Sequence, residues 1–429
     1  MPAKQRDFRL SPKSTRLLII HTKYAERGGE CSVVQNEVIL LKKNGFQVKE
    51  LYFDNRKSKL LNILSMAFNI ISFFRVLIVC LRYKPALVHI HNTHFAGSPS
   101  IIRAIKILKI PVVKTLHSYR LLCPSGSLFF RGKLYLKSLN VSFPWQAIKE
   151  KVYRNSLLLT FWLSLSNWFN RKTGTWKKID KYFVFSEQGR QLFLNSNLGI
   201  TDSQVIIKPN FSKKNAEPSV KRGDNFLYIG RLSQEKGIGI LLDAFIQNGL
   251  PLTIIGDGPY NSEVKKAIRQ NPLIEWKGYQ TSEVINQELK KCAALIFPSI
   301  CYEGMPVSII EAFAASTPVI ASRLGVMEKM VRHNHNGLLF EAGNADDLNM
   351  QLLKWDNCTK EEKNNLSKNA MKEYEDKYTP EKNIRILLSV YDTLIFEKQI
   401  PLKKFTMYKN DTQKKQPSVA PLDNNIVAG

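Results

Sequence analysis

Two glutamates eight residues apart, Glu303 and Glu311, bracket the run Gly304-Met305-Pro306-Val307-Ser308. Gly304 frees the backbone and Pro306 suits the first position of a helix, so the stretch reads as a loop turning into a helix. The unpaired N–H groups from Gly304 to Ser308 would then face a ligand and carry the positive end of the helix dipole. Glu311 lies five residues beyond Pro306, about 7.5 Å further along the axis. Carboxylates on both sides of an anion-binding tip can accept hydrogen bonds from hydroxyls at both ends of a diphosphate. A nucleotide sugar has that geometry, with a sugar at one end and a ribose at the other.

Two cations fit the same chemistry. Arg231 and Lys236, five residues apart in Gly230-Arg231-Leu232-Ser233-Gln234-Glu235-Lys236-Gly237, follow an apolar run, and Gly237 opens the next helical pattern. Arg holds a diphosphate bidentately and Lys as a point charge, beside a helix N-terminus. The turn Gly256-Asp257-Gly258-Pro259 reads as structural. Nearer the N-terminus, Gly28 and Gly29 in Arg27-Gly28-Gly29-Glu30 let backbone approach a phosphate or an acceptor. His117, at the end of an apolar run, can hydrogen-bond a donor sugar near its reacting carbon and is the leading catalytic candidate of this half. His89, His91 and His94 form H-x-H-x2-H. With no Cys or carboxylate beside them in sequence, they argue weakly for zinc, and His91 and Asn92 read better as lining an acceptor side. No D-x-D motif occurs, so metal-independent chemistry without a cofactor is expected.

These residues need elements to hold them. Short β-branched runs at 16–21, 47–53, 86–91, 111–116, 181–186 and 204–208 alternate with helical patterns. The alternation repeats at 226–230, 252–256, 273–277, 294–297, 318–321 and 337–340. The expected fold class is α/β, with two Rossmann-like domains of parallel strands facing a central cleft. In such sheets ligands bind beyond the carboxyl ends of the strands, where every motif above falls. Residues 1–212 form the acceptor-side domain and 213–380 the nucleotide-sugar domain, with 209–222 as linker. A helix at 381–398 probes back toward the first domain, and a polar tail at 399–429 is expected to be disordered.

The chain has 429 residues, a formal charge of +27 and 44% hydrophobic residues, which excludes wholesale disorder. Residues 1–212 hold 34 Lys+Arg and 10 Asp+Glu, against 29 and 26 in residues 213–429. The basic half therefore meets something anionic. Residues 60–81 carry one charge, Arg75, and are long enough to span a bilayer. Asn62, Ser65, Asn69, Ser72 and Arg75 nevertheless mark a polar helical stripe, which fits a core-packed helix or one lying in a membrane surface. Residues 157–169 place Phe161, Trp162, Trp168 and Phe169 between Arg154 and Arg171-Lys172. That pattern suits the headgroup layer or a helical insert with core aromatics. Six scattered cysteines without a C-x-x-C pair and an N-terminal apolar run too short for a signal peptide favour a cytoplasmic location.

The run Ser299 to Ala312, with its Glu303/Glu311 pair, followed by Thr317-Pro318-Val319-Ile320-Ala321-Ser322, resembles the nucleotide-sugar domain of retaining GT-B glycosyltransferases of family four. The loop at 230–237 and Asn336-Gly337-Leu338-Leu339-Phe340 agree, and the likeness covers roughly residues 14–398. His117 to Pro124 resembles an H-x-Y-R-L-L-C-P motif of bacterial polysaccharide glycosyltransferases, with Ser118 where Asp is common. The resemblance implies that Arg231 and Lys236 hold the donor diphosphate, Glu311 the ribose and Glu303 the sugar hydroxyls. It also implies that the loop with Gly28 and Gly29 faces the donor, and that the sugar keeps its anomeric configuration. Ser316 departs from the family's usual Gly, and Leu324-Gly325-Val326 replaces a Gly-Gly turn. The implied partners are a UDP- or GDP-sugar, a saccharide or polyprenyl-diphosphate-linked acceptor, and an anionic membrane at its inner face, with no nucleic acid. A nucleotide-sugar epimerase would need carboxylates in the acid-poor first half, and a phosphorylase a pyridoxal-phosphate lysine, for which no signal is present. The non-enzymatic alternative is a basic scaffold binding a membrane or nucleic acid, but no nucleic-acid motif is present.

Overall fold

The computed structural model describes residues 10–23, 29–55, 63–214 and 222–399. Two six-stranded sheets dominate it. The first contains β1 (Arg16–Lys23), β2 (Gln47–Asp54), β3 (Leu87–Ile90), β4 (Val112–Thr115), β7 (Lys181–Val184) and β8 (Val205–Ile207). Between β4 and β7 lies a small hairpin of β5 (Phe129–Phe130) and β6 (Lys133–Leu134). The second sheet contains β9 (Phe226–Ile229), β10 (Leu252–Ile255), β11 (Ile274–Trp276), β12 (Leu295–Phe297), β13 (Val319–Ser322) and β14 (Gly337–Phe340). Every strand pair within the two large sheets is parallel. Parallel strands need helical crossovers on both faces, which is why β3, β4, β10, β13 and β14 are buried at every position.

The sheet orders are β2-β1-β3-β4-β7-β8 and β11-β10-β9-β12-β13-β14. Strand order reverses beside β1 and β3 in the first sheet and between β9 and β12 in the second. At such a switch point the flanking loops diverge and leave a crevice. The loops after β1, β3, β9 and β12 carry the Gly29, His91, Arg231/Lys236 and Glu303 signals.

The chain crosses between the sheets twice. Tyr378 belongs to a core cluster of the second sheet, whereas Leu387, Tyr391 and Leu394 of the helix Pro380–Gln399 pack with Leu17, Ile19 and Val113 of the first. The crossings are tied together. Ser212 N–H donates to the Tyr378 carbonyl (3.3 Å), Tyr374 Oη donates to the Ser212 carbonyl (3.0 Å), and Asn383 Nδ2 donates to the Pro209 carbonyl (2.6 Å). The expected tail at 399–429 lies outside the described residues except for Gln399.

One local expectation is corrected, and two features are new. The hairpin β5–β6 is additional. Pro306 precedes the helix Val307–Ala314 rather than opening it, with extended backbone at ψ 118°. Of the polar stripe on the apolar segment, Asn69 and Ser72 face inward while Arg75 is exposed, and Asn62 lies outside the described residues. Asn69 caps the helix Ile70–Tyr83 by accepting from Ser72 N–H at 2.9 Å, and Ser72 Oγ donates to the Ala96 carbonyl at 2.6 Å. The outward face carries Ile70, Ile71, Phe74, Ile78 and Leu81, and Ile71 is 74% exposed. Among the described residues, no helix is long and apolar enough to cross a membrane. Trp162 Nε1 donates to the Ile63 carbonyl at 2.6 Å and Asn170 Nδ2 to Ala67 at 3.1 Å, tying the helix Leu157–Lys172 to the segment before that apolar helix. Its Leu157, Leu158 and Phe169 are exposed as well.

Candidate active site

The donor-side loops are built on a close approach of two strand ends. Gly237 has φ +71°, and a Cβ there would lie 1.8 Å from the Pro298 carbonyl oxygen. Only glycine satisfies both constraints. The loop after β12 is stitched to the loop after β9: Ile300 N–H donates to the Glu235 carbonyl at 3.0 Å, and Ser299 Oγ lies 3.1 Å from the same oxygen. That union brings Lys236 against Glu303, with Nζ 2.7 Å from Oε1, while Ser299 Oγ donates to the same oxygen at 2.6 Å. Burial works against the Lys236 ammonium, but the Glu303 carboxylate outweighs it and raises its pKa. Arg231 is half exposed and pairs with Glu235.

No side chain caps the N-terminus of the helix Val307–Ala314, so its first N–H groups are available to an anion. Met305 and Pro306 lead into it, and Val307 and Ser308 form its first turn. Glu311 lies within that helix. Burial raises its carboxyl pKa to about 7, and the group has no hydrogen-bond or ion-pair partner among the described residues.

Across the cleft, His117 stands just beyond β4, and its Nε2 lies 3.0 Å from His91 Nδ1. His91 Nε2 in turn is 3.3 Å from Glu37 Oε1, and Lys208 Nζ donates to Glu37 Oε2 at 2.7 Å. His89 Nδ1 reaches Glu37 Oε1 (2.9 Å) and Tyr391 Oη (2.8 Å), and its Nε2 reaches Thr115 Oγ1 (2.7 Å). Burial opposes the Glu37 charge, yet Lys208, His89 and His91 hold its carboxyl well below the usual range. Burial, reinforced by neighbouring His91, drives the His117 pKa well down. His117 is therefore a neutral ring, a hydrogen-bonding group rather than a cation, near neutral pH. Glu37, His89 and His91 present metal-ligand atoms within 4.8 Å of one another. Lys208 already supplies a positive charge to that carboxylate, which fits a charge-balanced core cluster. The carboxylate absent from the local sequence is thus present in space.

The two halves meet at the site itself. A Cβ on Gly304 would lie 3.1 Å from the His117 carbonyl oxygen, and Tyr119 Oη donates to the Glu303 carbonyl at 3.4 Å. Asn210 binds Met305 through Nδ2 to its carbonyl at 3.1 Å. Nothing lies within 4 Å of where a Gly29 Cβ would be, and the helix Gly29–Lys43 starts there. Gly28 lies outside the described residues.

Arg231, Lys236, Glu303 and Gly304 are gathered on the loops after β9 and β12, Glu311 lies on the helix that follows, and Gly304 meets His117 of the first half. Sequence reasoning missed Glu37, Lys208, Tyr119 and Tyr391. Glu37 had a readable signal: it shares a helical face with Val33, Val34, Val38 and Leu41, all buried, so an acid stood at a core position.

Residues 210–373 match the family model described as glycosyl transferases group 1. An uncharacterised glycosyltransferase of Methanocaldococcus jannaschii is 33% identical over 184 residues, covering 42% of this chain and 52% of that protein. O-antigen chain mannosyltransferase C of Escherichia coli is 26% identical over 182 residues, covering 41% and 48%. The chain thus spans about half the length of these curated relatives. Among solved structures, Anabaena HepE in complex with UDP superposes with a TM-score of 0.62 at 16% identity, covering 87% of this chain and 99% of that one. The fold is GT-B.

Proposed function

We propose that the protein is a glycosyltransferase that moves a sugar from a nucleoside-diphosphate sugar to a saccharide or lipid-linked saccharide acceptor, with retention of configuration. The observation that carries this reading is the Lys236–Glu303 pair beside an uncapped helix N-terminus, which is joined to His117 across the cleft. The leaving diphosphate accumulates negative charge, which Arg231, Lys236 and the helix tip stabilise. Glu303, Glu311 and neutral His117 orient the donor. The acceptor hydroxyl attacks on the face that the diphosphate leaves, and closure of the cleft limits hydrolysis. No metal or cofactor takes part. The mannosyltransferase relative, named for O-antigen chains, and the UDP held by HepE support a role in cell-surface polysaccharide synthesis.

The acceptor side works at the inner face of the cytoplasmic membrane. The outward apolar face of the helix Ile70–Tyr83, flanked by exposed Arg82 and Lys84, supports peripheral attachment to anionic lipid. The test is a donor screen: UDP and GDP should raise the melting temperature, and one UDP- or GDP-sugar should give transfer with retained configuration, assigned by NMR. Absence of both nucleotide binding and sugar transfer overturns the proposal.

A further inference from the structure

A cavity in the first half of the chain, lined by no residue of the loops after β9 and β12, holds a buried lysine and a half-buried arginine that form no ion pair within 4 Å among the described residues. It is lined by Lys114, Arg120, His117, His91, Asn167 and Glu30, among others, and by no residue of the second half. Lys114 projects from β4, a strand in the interior of its sheet, and is only 4% exposed. Among the described residues it has no ion pair and no hydrogen-bonding side-chain partner. Arg120 places Nε and Nη1 in the interior without a hydrogen-bond partner, its guanidinium lying 5.5 Å from the Tyr153 ring centroid. Glu30, the carboxylate on this wall, lies 3.6 Å from His21 Nδ1 and acts on Lys114 against the effect of burial, so two cations face one acid and the cavity keeps a net positive charge.

A buried lysine without a direct ion pair destabilises a fold, and two guanidinium nitrogens held in the interior without acceptors add to that. Such groups are retained where a ligand supplies the missing charge. His117 also lines a second pocket that reaches Gly304 of the donor side. An anion seated at Lys114 and Arg120 therefore lies next to the transfer point, yet on the acceptor's side of it.

We propose that Lys114 and Arg120 form an oxyanion subsite for the acceptor, recognising a carboxylate or phosphate group close to the hydroxyl that receives the sugar. This rests on the glycosyltransferase reading. Its source is either an acidic sugar at the acceptor end or the diphosphate of a lipid carrier.

The test uses the full chain saturated with UDP and measures binding of three probes by NMR titration: methyl glucuronide, methyl glucoside and farnesyl diphosphate. At least one anionic probe should bind tenfold or more tighter than the neutral glucoside. Lys114→Met and Arg120→Gln should each remove that preference while leaving UDP affinity within twofold. Preference for the glucuronide alone assigns the anion to an acidic sugar, and preference for the prenyl diphosphate alone assigns it to the carrier. Preference for both assigns the shared oxyanion. Equal binding of all three probes, or variants that keep the preference, overturns the subsite. Loss of UDP binding by the unmodified protein would instead remove the donor reading. Lys114→Met preserves side-chain length and removes a buried charge, and Arg120→Gln on the loop provides an independent variant if the strand substitution fails to fold.

Discussion

Lys236 and Glu303 come from the loops after two different strands and form a 2.7 Å ion pair on which Ser299 also converges. The lysine is therefore neutralised by the carboxylate that the proposed reaction sets beside the sugar. The two residues should respond differently to substitution. Lys236→Ala should lower turnover by about 10²- to 10³-fold and weaken UDP binding, because a charge aimed at the leaving group is lost. Glu303→Gln should also lower turnover but leave UDP affinity unchanged or tighter, since it releases the ammonium. Equal loss of UDP affinity in both variants, measured calorimetrically, would contradict this division of labour.

Glu311 carries a pH signature. Its pKa is raised to about 7 by burial, so between about pH 4.5 and about 7 the folded chain keeps a proton that the unfolded chain has lost. Stability should fall as pH rises through that window and level off above it. Glu311→Gln should flatten the fall, an effect on the order of 3 kcal/mol. A ribose hydroxyl donating to this group favours the charged form, so UDP binding near pH 7 should release a proton. Calorimetry in buffers of different ionisation enthalpy reads that proton directly.

Gly304 controls how closely the halves meet. A methyl group there would press on the His117 carbonyl at 3.1 Å. Gly304→Ala should reduce turnover by roughly tenfold or more through misplacement of the halves. UDP affinity should be preserved, because the added methyl points at His117 and Phe185 of the first half. Parallel loss of both would show that the loop itself had collapsed.

The membrane reading rests on side chains that the fold does not need. Ile71 and Phe74 are 74% and 50% exposed, so Ile71→Glu with Phe74→Glu should leave the melting temperature unchanged. The double variant should lose sedimentation with vesicles containing anionic phospholipid, and binding of the unmodified chain should weaken with added salt. Undiminished vesicle binding by the variant would remove this face from the interface.

Ser316 sits at φ +56° without being glycine. The left-handed conformation costs a non-glycine residue roughly 1–2 kcal/mol, whereas glycine adds roughly 0.5–1 kcal/mol of unfolded-state entropy. Ser316→Gly should therefore raise stability by roughly 0.5–1 kcal/mol, readable in denaturant titration.

The strands of both large sheets were legible because most are short runs rich in apolar residues and bounded by turn residues, a pattern that survives without tertiary information. The donor loops were legible for a related reason: glycines, cations and acids at strand ends must project into one crevice. What stayed hidden depended on contacts remote in the chain. Glu37 and Lys208 pair across a long sequence separation, and Tyr119 reaches Glu303 only once the halves face each other. The hairpin β5–β6 has two residues per strand, too few to show alternation. The orientation of the helix Ile70–Tyr83 was hidden for another reason. Periodicity defines two faces but not which one docks, and here Asn69 N–H donates to Ser98 Oγ and Ser72 Oγ to the Ala96 carbonyl inside, while the apolar side is left outward.

The return of the helix Pro380–Gln399 to the first sheet sets a timetable for synthesis. Leu387, Tyr391 and Leu394 share a core with Leu10 and Leu17, so the strands of the first sheet wait for a helix that is made after the whole second sheet. The second sheet, whose strands all lie between Phe226 and Phe340, has no such debt and can close first. The half made first is therefore finished last, and until then its unsealed surface is the natural customer of a chaperone.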